Sequence, residues 1–243
     1  MTNNHKALRT PIRALLDSTD RPDGCFVNIH DRPGPYMVGP RTMRIEGRDR
    51  ACEDVLGTSF LISPTAFFQT NVGAASTCCR WCSTRARAPL ASSTCTGAGL
   101  FAIPLARQGV SVVAVEENRE AVADAEANLR LNRVPDGRVR LIAARVEDAV
   151  GRTGRETFDG VVLDPPRRGC PDRVIDAACG LGPSRIVYVS CNVERLSVER
   201  ARFGAAGYAL ARVRPLDMFP HTDHIEAVAV FEPARSGKPA STR

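Results

Sequence analysis

Gly97-Ala98-Gly99-Leu100-Phe101-Ala102-Ile103-Pro104-Leu105-Ala106, followed by Val110-Ser111-Val112-Val113-Ala114-Val115-Glu116, is the stretch that decides the fold. The glycines free the backbone for a sharp entry into a helix. The second run is a short, Val-rich, almost wholly apolar strand that ends in an acid. The same alternation continues downstream. Arg119 to Asn132 carries Ala and Leu at helical spacing, and Val139–Ala143 reads as a strand. Phe158–Asp164 is another strand, stopped by Pro165-Pro166. A helix from Val174 to Cys179, the strand Ile186–Val189, a helix from Val193 to Ala206 and a closing hairpin complete the set. Short apolar strands alternating with amphipathic helices predict an α/β, Rossmann-like, doubly wound and mostly parallel sheet.

Upstream the pattern thins. Residues 1–58 are rich in Arg, Asp, Pro and Gly. Cys25–Ile29 and Tyr36–Val38 are expected as short strands around the turn cluster Asp31-Arg32-Pro33-Gly34-Pro35, making a small β-rich N-terminal segment. A strand from Ser59 to Ile62, ended at Pro64, opens the main unit, expected over 59–235, and 236–243 is expected as a disordered tail.

At 243 residues, 43% hydrophobic and 25% charged, the chain suits one large domain or a domain with a small appendage. No window approaches the roughly 20 apolar residues of a membrane span. The N-terminus lacks the apolar core of a signal peptide, so a cytoplasmic location is expected. The net charge of +6 rests mostly on Arg, whose planar fork suits phosphate, which makes a nucleic-acid partner plausible. No protein partner is expected. Cys79-Arg80-Trp81-Cys82 is a CxxC, but no second pair follows at zinc spacing, and no metal site is expected.

Three places carry chemistry. Gly97 and Gly99 with Glu116 form the arrangement of a nucleotide site, in which glycines admit the ligand to the backbone and a strand-end acid takes ribose hydroxyls. Asp164-Pro165-Pro166-Arg167-Arg168-Gly169 ends another core strand at the same sheet edge, where prolines make a rigid loop. Ser190-Cys191-Asn192 follows an apolar strand, and Phe219-Pro220-His221-Thr222-Asp223-His224-Ile225-Glu226 leads into the last one. A thiol there suits attack on an electron-poor ring, and a carboxylate suits removal of a proton, which points to covalent catalysis.

From Ser59 to Glu232 the chain resembles the S-adenosylmethionine-dependent RNA (uracil-C5)-methyltransferases, the makers of 5-methyluridine in 23S rRNA and tRNA. The resemblance rests on six motifs in order: Ser63-Pro64-Thr65-Ala66-Phe67-Phe68-Gln69-Thr70-Asn71, Gly97-Ala98-Gly99, Val115-Glu116, Asp164 to Gly169, Val189-Ser190-Cys191-Asn192, and Asp217 to Glu226. It implies that Cys191 attacks C6 of a target uracil and that C5 then takes the methyl group. Glu226 removes the C5 proton so that Cys191 leaves. Gln69, Glu116 and Asp164 would contact S-adenosylmethionine. The implied partner is RNA, 23S rRNA first and tRNA second, with the target base drawn out of its stack.

The chain departs from that pattern twice. It is expected to lack the N-terminal RNA-binding barrel usual in the family, either as a short form or because its start has been lost, and Cys25 and Cys52 do not make an iron–sulfur spacing. The second departure is the segment from Ser76 to Thr96, where a helix and an apolar strand ending Asp-Leu-Tyr belong. Here it reads as polar and Cys-rich, without helical or strand pattern. Written with chosen GC-rich codons, Ala91–Thr96 becomes GCG TCC TCG ACC TGT ACA, and dropping the first two bases gives Val-Leu-Asp-Leu-Tyr. Residues 76–96 are therefore expected to be an out-of-frame translation between two compensating frameshifts. The alternative to an active enzyme is a catalytically impaired relative, or a pseudogene product, that at most binds RNA.

Overall fold

A computed structural model describes residues 5–30, 38–85, 90–94, 96–149 and 157–234. Helix α1 (Arg9–Leu16) precedes two hairpins, in which β1 (Gly24–Ile29) pairs with β2 (Arg41–Gly47) and β3 (Ala51–Val55) with β4 (Thr58–Ile62). The N-terminal segment is strand-rich as expected, but it also carries a helix that was not expected. Leu8, Ile12, Leu15 and Leu16 stand at i, i+4, i+7 and i+8, one helical stripe that the many polar neighbours obscure. Of the strand expected at Tyr36–Val38, residues 36 and 37 lie outside the described residues, and Val38 sits in a bend before β2. The tail 236–243 also lies outside them. The β3–β4 hairpin straddles the boundary expected at residue 58.

The segment read as patternless holds both missing elements. Helix α2 runs from Val72 to Arg85 and strand β5 from Leu90 to Thr94. In α2, Ala75, Cys78, Cys79 and Cys82 are all buried and stand at i, i+3, i+4 and i+7. Cysteine packs as a small apolar side chain, so counting it as polar hides a helical face. Strand β5 has almost no apolar content, but it has a parallel neighbour on each edge, with Ala91–Thr94 matched to Gly160–Leu163 and Leu90–Thr94 to Ser111–Val115. Two ladders of main-chain hydrogen bonds shape it whatever its side chains prefer.

The remaining elements alternate as expected: α3 (Ala102–Arg107), β6 (Ser111–Glu116), α4 (Arg119–Leu131), β7 (Val139–Ala143), α5 (Val146–Ala149), β8 (Gly160–Leu163), α6 (Asp172–Gly180), β9 (Arg185–Ser190), α7 (Val193–Ala205), β10 (Tyr208–Leu216) and β11 (Glu226–Pro233). They build a seven-stranded sheet in the order β10-β11-β9-β8-β5-β6-β7, antiparallel only at the β10 and β11 side. Strand alternation sorts the core into two layers. Val112, Ala114, Val162, Val187 and Val228 face the layer that holds α2 and α3. Val113, Val161, Leu163, Tyr188 and Phe231 face α6 and α7, where Phe203 stacks on Phe231 with ring centroids 4.0 Å apart. A sheet covered on both faces leaves one place for a ligand, the edge where the parallel strands end.

Candidate active site

Strand direction gathers the site. Strands β6, β8 and β9 run parallel and deliver Glu116, Asp164 and Cys191 to one edge. Strand β11 runs the other way, so its first residue, not its last, arrives at that edge. Ala227 pairs with Ser190, and the next step of the same register sets Glu226 across from Cys191. Residues distant in the chain thus become neighbours through one antiparallel pairing.

Short-range hydrogen bonds fix the nucleophile's turn. Ser190 Oγ donates to Asn192 O at 2.8 Å, and Asn192 Oδ1 caps α7 by accepting from Arg195 N at 3.0 Å. Cys191 therefore sits just before a helix N-terminus, half-buried. Burial raises its pKa, as do the nearby carboxylates Glu226 and Asp164, while a backbone hydrogen bond and Arg167 pull the other way. The raising effects win. On the Glu226 side, Thr222 N and Oγ1 both donate to Phe219 O, and His224 N donates to Thr222 Oγ1 at 3.2 Å. This tight turn, with His221 at φ +67°, swings the chain into β11. Glu226 is buried, which pushes its carboxyl above the ordinary range, and its Oε2 has no hydrogen-bond partner among the described residues.

The glycine turn lies beside them. Gly97 N donates to Glu116 Oε2 at 2.8 Å and Asn118 N to Oε1 at 2.9 Å, so Glu116 closes the turn and still lines a cleft with Leu163, Pro165 and Val146. Gly97 has φ +53°, and a Cβ there would press on Phe67 O at 3.3 Å; Gly99, at φ +97°, lies against Ile103. Both positions need glycine. Burial, with the charges of Glu226 and Glu116, pushes the Asp164 carboxyl up to about 8. Gln69 and Thr96 are buried, and Gln69 Oε1 and Thr96 Oγ1 lack hydrogen-bond partners among the described residues. Buried polar atoms rarely go unpaired, so two of them beside a glycine turn fit a polar ligand.

Behind this edge, Glu199 ties α7 to the Asp164 loop. Its carboxylate accepts from Cys170 N at 2.8 Å, from Arg195 Nε at 3.1 Å and from Tyr188 OH. Gly169, at φ +86°, packs so closely on Glu199 that a Cβ has no room.

A family model for tRNA (uracil-5-)-methyltransferases matches residues 59–233. The chain belongs to that family. An RNA methyltransferase of Gloeobacter violaceus is 34% identical over 228 residues, which cover 93% of this chain and 49% of that protein. One of Geobacter sulfurreducens is 33% identical over 238 residues, covering 94% of this chain and 47% of its own length. The chain thus spans about half the length of these relatives. Among solved structures, the Pyrococcus abyssi tRNA (uracil-54, C5)-methyltransferase in complex with S-adenosyl-L-homocysteine superposes with a TM-score of 0.70 at 30% identity, over 86% of this chain and 50% of that one.

Within this methyltransferase family member, all seven residues singled out in the sequence, Gln69, Gly97, Gly99, Glu116, Asp164, Cys191 and Glu226, lie on or beside one sheet edge. Sequence reasoning missed Thr96, whose only signal is its place before Gly97. It also missed Glu199, a helix-surface acid by pattern that turns out to be buried. Among the described residues no cluster of His, Cys, Asp or Glu is arranged to hold a metal ion, and the thiols of Cys78, Cys79 and Cys82 pack in the core. No described helix is long and apolar enough to cross a membrane.

Proposed function

We propose that this chain transfers a methyl group from S-adenosylmethionine to C5 of a uridine in RNA, with 23S rRNA the expected target. The observation that carries the reading is the register that sets Glu226 across from Cys191 at the edge holding the glycine turn. Gln69, Thr96, Gly97, Glu116 and Asp164 would hold the cofactor; the unpaired oxygens of Gln69 and Thr96 and the glycine-only approach at Gly97 fit it. When bound, S-adenosylmethionine supplies an electrophilic methyl group.

The protein's residues do the rest. Uracil C5 is a poor nucleophile, so Cys191 must first lose its thiol proton to solvent and bond through Sγ to C6, the C5–C6 π electrons moving onto C5. Once C5 carries the methyl group, Glu226 accepts the C5 proton, the electron pair reforms the C5–C6 double bond, and the S–C6 bond breaks. Burial makes Glu226 a stronger base than an exposed glutamate. Arg167, exposed beside His224 at the rim, places a cation where an RNA phosphate can approach.

Covalent trapping tests this. With S-adenosylmethionine and an RNA carrying 5-fluorouridine, no C5 proton can be removed, so a denaturant-stable protein–RNA adduct is expected and Cys191→Ala abolishes it. Glu226→Gln should accumulate the adduct on unmodified RNA and slow turnover at least about a hundredfold. A tRNA run beside a 23S rRNA fragment decides the target. Methylation that persists in Cys191→Ala would sink the covalent mechanism.

A further inference from the structure

Strand β4 has β3 on one edge, and its other edge faces α4. Three polar side chains of α4 and its C-cap Asn132, one per turn, meet that edge and the residues that follow it. Asn132 Nδ2 donates to Ser59 O at 2.7 Å and its Oδ1 accepts from Ser59 N at 3.1 Å. Asn128 makes the same pair with Leu61, at 3.0 and 2.7 Å, and also donates to Ala98 O at 3.0 Å. Asp124 accepts from Ser63 N and Ser63 Oγ, each at 2.7 Å, and Arg50 Nε pairs with it at 2.9 Å. Glu120 accepts from Thr65 Oγ1.

Each step of four along the helix meets a step of two along the strand. Four helical residues advance about 6.0 Å and two strand residues about 6.6 Å, so side-chain torsions absorb the mismatch. The helix therefore acts as a stand-in strand. Burying Asp124 and Asn128 completely is costly unless every polar atom is matched, which this ladder achieves. Leucine at those positions would leave the β4 edge unpaired.

The ladder continues past the end of β4 at Ile62 into the loop that runs to Gln69. Phe67 O of that loop abuts Gly97, Phe68 packs on Phe60 with centroids 5.3 Å apart, and Gln69 is buried. At the far end Asn71 Nδ2 donates to Met218 O at 3.1 Å, in the segment that leads to Glu226. We infer that the polar face of α4 positions the cofactor loop, making Glu120, Asp124, Asn128 and Asn132 positioning residues for methyl transfer. The inference rests on the proposed role of Gln69 and Gly97 at the cofactor.

The test cuts the rungs separately. Glu120→Ala and Thr65→Val remove the rung nearest Gln69, Glu120→Gln keeps an acceptor for the Thr65 hydroxyl, and Asn132→Ala removes the farthest rung. Hydrogen exchange of residues 66–71 and equilibrium binding of S-adenosylhomocysteine are measured on each. Glu120→Ala and Thr65→Val should speed exchange in that loop but not in β9, and weaken binding about three- to tenfold. Glu120→Gln should restore both, and Asn132→Ala should lower Tm with a smaller effect on binding. Loop exchange unchanged by Glu120→Ala and Thr65→Val overturns the inference, as does a binding loss that merely tracks Tm across all variants. If the unaltered chain binds no S-adenosylhomocysteine, the cofactor reading falls, and the exchange data alone still decide whether the ladder holds the loop.

Discussion

Cys191, the proposed nucleophile, lies in surroundings that oppose its ionisation. Burial and two carboxylates raise its pKa above the ordinary 9.0, against the help of Arg167. One of those carboxylates offers a direct test. The Asp164 carboxyl is raised from 3.8 to about 8, chiefly by burial. A carboxyl raised on folding favours the native state while protonated, and that advantage is lost as pH rises from about 4 through about 8. Asp164→Asn keeps the shape and removes the titration. Its melting temperature should therefore gain on that of the parent chain across this window, with the largest gap above pH 8, as read by thermal melts in a pH series. A gap that stays constant from acid to alkaline pH would show that Asp164 ionises normally. The identities of Asp164, Cys191 and Glu226 were readable because each ends or begins an apolar strand. Their altered acidities were not, since those depend on which residues the fold packs around them.

The elements most at odds with their sequence are α2 and β5. Ala75, Cys78, Cys79 and Cys82 give α2 a buried face, but Leu90-Ala91-Ser92-Ser93-Thr94 is a poor composition for a strand with a neighbour on each edge. The proposal that residues 76–96 are translated out of frame accounts for both the Cys-rich helix and the polar strand. Resequencing the gene tests the origin, and a melt tests the consequence. Replacing Ala91–Cys95 by Val-Leu-Asp-Leu-Tyr adds apolar side chains worth roughly 1.5–3 kcal/mol each when buried. A gain of about 3–6 kcal/mol corresponds to a melting temperature higher by roughly 6–24 °C. An unchanged Tm would mean that the central strand is held by its main-chain ladders alone. Strands β6 and β9 were legible because their own side chains match a buried environment; β5 was not, because its neighbours impose its conformation.

Across the whole molecule the charge is +6, carried largely by arginine. On the proposed function, RNA affinity should fall about 10- to 100-fold as salt rises from about 50 to about 200 mM, the loss expected when three or four phosphates are neutralised. Filter binding of a 23S rRNA fragment over that range measures it, and an affinity indifferent to salt would argue against a phosphate-tracking surface. The chain alone determined the alternation of strands and helices, the glycine turn and the chemical residue types, because periodicity, turn chemistry and side-chain identity are local properties. Only the tertiary structure decided that Glu226 stands across from Cys191, that Glu199 is buried behind them, and that α4 completes the free edge of β4. Those outcomes depend on pairings between segments far apart in the chain, where hydrogen-bonding edges must find partners that no local pattern announces.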